Sequence, residues 1–318
     1  MPFDWAVAGP DPAARIRLGG VTGDLVVGVL HPGEMGAAVG AQLRGQGRTV
    51  LWASAGRSSQ TAGRAAAAGL ADARTVPELV RRSHVVLSIC PPHAAAETAL
   101  AAAGTSDHPA GGAPLFVDAN AISPASTREV AEIVAASGRG FVDGGIVGPP
   151  PQGGGGTRLY VSAGPAGSAE RVASLFAGTD VDARVVPGGA GAASAVKMAY
   201  AAWTKGTAAL VLAVRALARA EGVEDALARE WALSQPQLAG RLDAAGRSAL
   251  AKGWRWVAEM EEISAAFTAA GLPGGFHQAA AEVFSRSPHT GPDGDGRKDG
   301  AGPDAGDVVD ALLEERPG

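Results

Sequence analysis

The sequence has little of three features that mark large classes of protein. It has a single cysteine among 318 residues, Cys90, which excludes a disulfide-stapled scaffold and a cysteine-based metal site. Its 27 Lys and Arg against 32 Asp and Glu give a net charge of −5, which leaves no basic footprint for nucleic acid. It has no apolar run of about 18 residues and no signal-peptide pattern at the amino terminus. We therefore expect a cytoplasmic protein that binds neither nucleic acid nor a membrane.

The amino-terminal half alternates short β-branched runs with alanine-rich helical stretches. The expected strands are Leu25–Leu30, Thr49–Trp52, Val85–Ile89, Leu115–Val117, Phe141–Val142, Arg158–Val161 and Ala183–Val186. Short apolar strands separated by helices are typical of a parallel sheet that is buried on both faces. Right-handed crossovers between them then predict an α/β fold with a Rossmann-type doubly wound sheet.

Beyond residue 190 the strand signal ends and helical spacing takes over, which predicts an all-helical second domain. The expected helices are Ala190–Glu221, Val223–Ser234, Pro236–Met260, Glu261–Ala270 and Gly274–Ser285. The predicted domains are 23–187 for the α/β part and 188–287 for the helical part, flanked by a flexible tail at 1–22 and a largely disordered tail at 288–318. Within the second tail, only DVVDALLEER has the spacing of a short docking helix.

The first expected strand runs into a glycine-containing turn that a helix follows. The turn consists of His31, Pro32, Gly33, Glu34, Met35 and Gly36. In a dinucleotide-binding loop, Gly33 would let the backbone approach the pyrophosphate, and Gly36 would allow close packing of helix on strand. The free N–H groups of the helix amino terminus would bind the phosphates. His31 replaces the first glycine of the G-x-G-x-x-G pattern, and we interpret it as a turn residue. The whole turn is predicted to bind the cofactor.

The second expected strand lacks the acid that NAD-dependent proteins use to hold the ribose 2′-hydroxyl. No Asp or Glu occurs between Thr49 and Ala71. Instead, Ser54, Arg57 and Ser58 offer hydroxyls and a guanidinium suited to a 2′-phosphate. The alternative is a solvated polar loop. Together with the missing acid, these residues favour NADP over NAD.

Four further motifs follow in order along the chain. They are Ser88–His93, Asp118–Pro124, Asp143–Pro149 and the glycine-rich entry to a helix at Gly188–Lys197. Over roughly residues 25–220 this series resembles the β-hydroxyacid dehydrogenase superfamily, which includes 3-hydroxyisobutyrate and 6-phosphogluconate dehydrogenases. The helical remainder, with Trp254–Glu262, resembles a phosphogluconate-dehydrogenase-like branch.

The resemblance implies an enzyme in which Lys197 is the general acid/base. A hydride leaves or joins the substrate carbon at the nicotinamide, while a proton leaves or joins the substrate oxygen. The alternative for Lys197 is a surface lysine on an alanine-rich helix, although its neighbours Ala193, Val196 and Tyr200 are largely apolar. Further cofactor contacts are implied at Cys90, Pro91, Asn120 and Ala121.

Three departures from the family pattern bear on the substrate. Ala201 replaces an asparagine, Val147–Pro149 replace a Ser-Gly-Gly segment that holds the substrate carboxylate, and Asn120–Ala121 replace Ser-Thr. We therefore expect a substrate other than the small 3-hydroxy acid of the best-known members. Asn120 and Ser123 are polar groups that can face a ligand or serve as turn or helix caps. The expected substrate contacts are Ser123, Val147, Gly148, Pro149 and Arg255.

Arg255 has two interpretations. It pairs with an anionic substrate or cofactor, or it pairs with Glu259 one helical turn away, with Trp254 and Trp256 as core or dimer contacts. The second interpretation is favoured. His277, beside a helix start, is interpreted as structural.

The sequence predicts an NADP-dependent oxidoreductase that transfers hydride between nicotinamide and a hydroxy acid or its keto counterpart. Two alternatives stay open, an imine reductase-like enzyme and a non-catalytic NADP-binding protein. Lys197 favours C–O chemistry, whereas the asparagine lost at Ala201 favours imine reduction. No metal site is expected. The apolar surface of the long helix that starts at Ala190 predicts a homodimer.

Overall fold

An eight-stranded sheet forms the amino-terminal half of the chain in this computed structural model, which describes residues 25–105, 112–162, 164–288 and 304–314. The strands are β1 (Val26–Val29), β2 (Thr49–Trp52), β3 (Ala71–Asp72), β4 (Val85–Ser88), β5 (Leu115–Asp118), β6 (Phe141–Val147), β7 (Thr157–Ser162) and β8 (Val181–Val185). Their order across the sheet is β3-β2-β1-β4-β5-β6-β7-β8. The first six run parallel, which confirms the predicted doubly wound fold.

Six helices cover the two faces of the sheet, because its strands are apolar on both sides. They are α1 (Glu34–Gly45), α2 (Ser59–Ala67), α3 (Val76–Arg82), α4 (Ala95–Ala103), α5 (Pro124–Ala136) and α6 (Ser168–Ser174). One core cluster packs α1, α2 and α6 against the sheet, and another packs α3, α4 and α5 against the opposite face. A single 3₁₀ turn, Pro92–Ala94, precedes α4.

The carboxyl-terminal part is all helical, as predicted. Its helices are α7 (Ala192–Ala220), α8 (Glu224–Ser234), α9 (Leu238–Ala269), α10 (Gly275–Arg286) and α11 (Ala305–Leu313). They share a separate core to which α7, α9 and α10 contribute most of the buried side chains. The predicted boundary between residues 187 and 188 falls in the connection from β8 to α7.

The structure corrects several details of the sequence interpretation. β7 pairs antiparallel with β6, so β7 and β8 run against the other six strands. β3 was not expected, because its two residues are exposed and carry no apolar signal. β6 extends to Val147, beyond the expected end at Val142, because the Gly144–Gly145 pair interrupts the apolar pattern without ending the strand. α9 is one helix where two were expected.

The structure describes part of the second predicted tail but none of the first. Residues 1–22 lie outside the described part of the chain. Within 288–318, the described residues 304–314 contain α11, which packs Ala305 and Val308 against the helical core and coincides with most of the DVVDALLEER stretch that has the spacing of a docking helix. α11 packs on the core because its apolar residues recur at helical spacing and so share one face of the helix.

The strand order reverses between β1 and β4, and this places a crevice outside the carboxyl ends of these strands. Open α/β sheets bind ligands at this position. α9 lies across the same edge, where it contacts the Pro92–Ala94 turn and α5 as well as α7. None of the helices in the described ranges combines the length and the hydropathy that a membrane span requires. The same residues contain no group of three or more His, Cys, Asp or Glu positioned for a metal ion.

Candidate active site

The turn between β1 and α1 has the geometry of a phosphate cradle. Gly33 is the N-cap residue that precedes α1, and no side chain caps the N–H groups of the first turn. A Cβ at Gly33 would meet no atom within 4 Å, whereas a Cβ at Gly36 would collide with the carbonyl oxygen of His31. Gly36 is therefore required by close packing, and the helix amino terminus faces open space beside Gly33. Uncapped N–H groups of this kind fit a pyrophosphate.

Two buried polar atoms beside this turn lack a hydrogen-bond partner among the described residues. They are Nδ1 of His31 and Nε of Arg57. Burial, with Arg57 as the second cause, lowers the pKa of His31 to about 4, so the imidazole is neutral at pH 7. Arg57 Nη2 donates to the carbonyl oxygen of Leu30 at 3.3 Å, which places the guanidinium at the end of β1. An unpaired guanidinium N–H on Arg57 at this position fits an anionic dinucleotide.

The other two groups expected to bind the 2′-phosphate already have protein partners. Ser54 Oγ donates to Asp72 Oδ2 at 2.8 Å, and Ser58 Oγ caps α2 by accepting from the N–H of Thr61. Asp72 lies on β3, and its carboxylate accepts from Ser54 Oγ and from the backbone N–H groups of Ser54 and Arg74. This edge of the crevice therefore carries the Arg57 guanidinium and a carboxylate that already has three protein donors.

Asn120 ties the ends of β4 and β5 together. Its Oδ1 accepts from the Cys90 N–H at 2.6 Å, and its Nδ2 donates to Ser88 Oγ at 3.1 Å and Asp118 Oδ2 at 2.8 Å. The side-chain amide of Asn120 is thus bonded within the protein. Cys90, Pro91 and Asn120 can therefore contact a nicotinamide through their backbone groups. Burial raises the pKa of Asp118 to about 7, although the hydrogen bonds from Asn120 oppose this shift.

A buried carboxylate fixes the helix that carries Lys197. Asp143 on β6 accepts at Oδ2 from the N–H groups of Gly191 at 2.9 Å, Ala193 at 2.9 Å and Ser194 at 3.1 Å. Its Oδ1 accepts from Ser194 Oγ at 2.6 Å. These bonds satisfy the free donors at the amino terminus of α7, one turn before Lys197.

Gly145, on the same strand, brings α7 against the sheet. A Cβ at Gly145 would lie 2.7 Å from the Ala193 carbonyl oxygen and 3.0 Å from the Cβ of Lys197. The absence of a side chain at Gly145 therefore allows the close approach that sets the position of Lys197 relative to β6.

Lys197 belongs to a buried group of charges and is not a surface lysine. Its side chain is 15% exposed, and its Nζ lies 3.2 Å from Glu259 Oε1 on α9. The other carboxylate oxygen of Glu259 pairs with Lys205, two turns further along α7, and the Lys205 Nζ lies 5.3 Å from the centre of the Trp256 ring. Burial lowers the pKa of Lys205 to about 8, although Glu259 raises it. The two ammonium groups outweigh burial and hold the pKa of Glu259 below its usual value.

The favoured pairing of Arg255 with Glu259 is wrong. Arg255 Nη1 pairs instead with Glu34 Oε2 at 2.6 Å, in the first turn of α1, because Glu259 faces α7. The hydrogen bond from Arg255 lowers the pKa of Glu34. Trp256 packs on Phe284 in the helical core as expected, whereas Trp254 is 51% exposed. Arg255 therefore links α9 to the phosphate cradle.

Ser123 acts as a helix cap, and a carboxylate from α9 lies beside it. Ser123 Oγ accepts from the Ser126 N–H at the start of α5. Glu262 Oε2 accepts from the Ser123 N–H at 2.7 Å and from Ser126 Oγ at 2.9 Å. The amino terminus of α5 thus already binds an anion that the chain itself supplies.

The remaining expected substrate contacts form the turn between β6 and β7. Val147 is buried, and Gly148 has a φ of 110°, where a Cβ would collide with the Gly156 carbonyl. The carbonyl of Pro149 accepts from Thr157 Oγ1 at 2.6 Å. These contacts give the turn a structural role. His277 is also structural, because it is buried with its ring centre 4.4 Å from that of Phe267.

The family model described as the NAD binding domain of 6-phosphogluconate dehydrogenase matches residues 26–185. The chain belongs to the β-hydroxyacid dehydrogenase superfamily. A second family model, described as a domain of unknown function, matches residues 218–287 of the chain. No curated protein matches the sequence.

Solved structures share the fold of this superfamily member. MTH1747, a conserved protein of unknown function with structural similarity to 3-hydroxyacid dehydrogenases, is 25% identical with a TM-score of 0.61, over 82% of this chain and 96% of that one. Mycobacterium tuberculosis 3-hydroxyisobutyrate dehydrogenase with L-serine is 20% identical with a TM-score of 0.60, over 92% and 100%. An Aspergillus terreus reductive aminase in complex with NADPH and ethyl-5-oxohexanoate is 22% identical with a TM-score of 0.53, over 83% and 93%.

Three charged groups of the site were not identified from the sequence. They are Lys205, Glu262 and Glu259 in its role as partner of Lys197. A signal was present, because Lys197 and Lys205 are eight residues apart and share one helix face, as do Glu259 and Glu262 at a spacing of three. That these two faces meet became visible only in the structure.

Proposed function

We propose that the protein is an NADP-dependent oxidoreductase that transfers hydride between nicotinamide and a small alcohol or carbonyl compound, with Lys197 as the general acid/base. The observation that carries this function is the placement of Lys197, largely buried and fixed through the Asp143 cap of α7, next to α9 at the crevice. The single cysteine supports the further proposal of a cytoplasmic location.

Different residues of the crevice would bind different parts of the cofactor. The N–H groups from Gly33 to Gly36 would hold the pyrophosphate, Arg57 the 2′-phosphate, and the backbone at Cys90–Pro91 and Asn120–Ala121 the nicotinamide. A bound nicotinamide would supply or accept the hydride. In reduction, the Lys197 ammonium would donate a proton to the carbonyl oxygen and become neutral, while the carbonyl carbon takes up a hydride. Oxidation of the alcohol reverses both transfers.

NADPH oxidation, measured against aldehydes, ketones, β-keto acids and cyclic imines, tests this function. We expect turnover of carbonyl compounds. Turnover of cyclic imines alone would favour the imine reductase alternative, in line with the asparagine lost at Ala201. Tight NADPH binding without turnover of any compound in the panel would favour a non-catalytic dinucleotide-binding protein.

Replacement of Arg57 by alanine is expected to weaken NADPH binding by at least about tenfold and to leave NADH binding nearly unchanged, because a charge-assisted contact to the 2′-phosphate is lost. Titration of tryptophan fluorescence with each coenzyme measures both affinities. Arg81→Ala, on α3, is the matched control and should change neither affinity. Equal affinities of the wild-type protein for NADPH and NADH would contradict the NADP proposal.

We also propose a homodimer that buries an apolar stripe on α7. Trp203, Leu210 and Leu217 follow one another at a spacing of seven and are 68%, 61% and 62% exposed, with Tyr200 beside them. Light scattering should give about twice the 31.6 kDa mass of one chain. Leu210→Asp should lower this mass, whereas Leu100→Asp on α4, where the leucine is 58% exposed, should not. A wild-type mass of one chain would contradict the dimer.

A further inference from the structure

Asp118, the last residue of β5, is a carboxylate whose hydrogen bonds lead to the backbone of the crevice. It is fully buried, and it accepts from the Asn120 N–H at 3.0 Å and from Asn120 Nδ2 at 2.8 Å. Asn120 Nδ2 also donates to Ser88 Oγ at 3.1 Å, and Asn120 Oδ1 accepts from the Cys90 N–H at 2.6 Å. A single side-chain amide therefore connects Asp118 to the Cys90 backbone that follows β4.

The ionised form of Asp118 fixes the orientation of this amide. A carboxylate accepts hydrogen bonds and donates none, so the NH₂ group of Asn120 has to face it. The amide oxygen of Asn120 then faces the Cys90 N–H, which is a donor. The negative charge on Asp118 therefore ensures that the Cys90 N–H has an acceptor.

Protonation of Asp118 reverses this preference. A neutral carboxyl carries an O–H donor, and the amide oxygen of Asn120 can accept from it once the amide turns over by about 180°. Ser88 Oγ suits either orientation, because a hydroxyl both donates and accepts. The turned amide, however, presents its NH₂ group to the Cys90 N–H, which is also a donor. The Cys90 backbone then loses the bond that ties it to the end of β5.

This change of protonation falls close to neutral pH. Burial raises the pKa of Asp118 to about 7, with the Asp143 carboxylate on β6 acting in the same direction and the hydrogen bonds from Asn120 opposing it. Within the described residues, the Cys90 thiol is the other titratable group that interacts electrostatically with Asp118. Burial raises the pKa of this thiol, so it stays neutral in the same range. Both forms of Asp118 are therefore populated between about pH 6 and about pH 8.

We propose that Asp118 is a positioning residue for the nicotinamide end of the coenzyme: its ionised form holds the Cys90–Pro91 backbone in place through Asn120, and its protonated form releases that backbone. The inference rests on the proposed function, in which the nicotinamide would lie against this backbone. It adds a dependence on pH, because the affinity for NADPH falls as Asp118 gains a proton. Asp118 exerts this effect through Asn120 and without touching the coenzyme.

Cys90 provides a direct test, because it is the single cysteine of the chain and labelling with ¹⁵N-cysteine gives one backbone amide resonance. In the coenzyme-free protein, we expect the amide proton to move upfield on acidification with a midpoint near pH 7, since it loses its acceptor. Asp118→Asn cannot ionise at this position and should abolish the titration. His93→Gln removes the exposed imidazole three residues away and should retain it.

Two results of this titration would overturn the proposal. One is a Cys90 amide that does not titrate near neutral pH in the wild-type protein. The other is a titration that survives in Asp118→Asn. If Asp118→Asn does not fold, Asn120→Ala serves in its place, because it removes the acceptor of the Cys90 N–H and should abolish the titration as well.

Coenzyme affinity measures the consequence of the change. The Kd of NADPH, from tryptophan fluorescence, is compared with that of 2′-phospho-ADP-ribose, which has the same phosphates but no nicotinamide. The ratio of the two Kd values cancels the titration of the phosphates. If the nicotinamide requires the ionised form of Asp118, this ratio should rise about tenfold from about pH 8 to about pH 6 in the wild-type protein, and it should not change with pH in Asp118→Asn.

The result is separable from that of the proposed function. Absence of NADPH binding at every pH would refute the proposed function. NADPH binding with the same ratio at both pH values in the wild-type protein would refute the positioning role of Asp118 and leave the proposed function standing.

Discussion

Replacement of Lys197 by methionine is expected to lower kcat by about 10²- to 10⁴-fold, the range by which a positioned general acid/base accelerates a reaction. Methionine has nearly the same length and keeps the apolar packing against β6, but it has no proton to give to the carbonyl oxygen. Glu259 keeps Lys205 as a partner, so the variant does not bury an unpaired carboxylate. Steady-state kinetics with NADPH and a reducible carbonyl compound measure the loss.

The affinity of this variant for NADPH should stay within about twofold of the wild-type value, because the phosphate cradle belongs to α1. Arg229→Met on α8, at an exposed position, is the control and should keep full activity. Turnover that survives in Lys197→Met at more than about a tenth of the wild-type rate would remove the acid/base role from Lys197.

Replacement of Asp143 by alanine is expected to lower the free energy of unfolding by about 3–5 kcal/mol. This carboxylate is fully buried and accepts from three backbone N–H groups at the start of α7, from Ser194 Oγ and from Ser162 Oγ. Without it, these donors remain buried and lose their acceptor, which costs more than the loss of an exposed hydrogen bond. Unfolding in urea, followed by circular dichroism, measures the change.

Asp143→Asn should cost less than the alanine variant, because one carbonyl oxygen still accepts from the helix amino terminus. Asp182→Ala is the control, since Asp182 on β8 is exposed and paired with Arg184, and its loss should change the free energy by no more than about 0.5 kcal/mol. If Asp143→Ala unfolds at the wild-type urea concentration, the carboxylate does not hold α7 as described.

Local pattern was sufficient to predict the parallel sheet, the glycine turn and the helical character of the second half. It did not predict β3, because the two exposed residues of this strand give no apolar pattern. It also did not predict that β7 runs antiparallel to β6, because the glycine-rich connection between them does not reveal the direction of the second strand. Lys197 was identified through a resemblance, since nothing in its immediate sequence distinguishes a catalytic lysine from another on an alanine-rich helix.

The partners in the site were the part that sequence reasoning could not supply. Lys197 and Glu259 are 62 residues apart, and Glu34 and Arg255 are 221 residues apart. Helical spacing predicts which side chains share a face of one helix, and this correctly relates Glu259 to Glu262. It does not predict which faces meet, because that depends on how α9 crosses the sheet edge. For this reason the sequence favoured Glu259 as the partner of Arg255, whereas the structure pairs Arg255 with Glu34.

α9 carries Arg255, Glu259 and Glu262 on a single uninterrupted helix of 32 residues, about 48 Å long. The three contacts lie within eight residues of this helix, about 10 Å along its axis. One short stretch of α9 therefore holds the turn after β1, the helix that carries Lys197 and the start of α5 at fixed distances from one another.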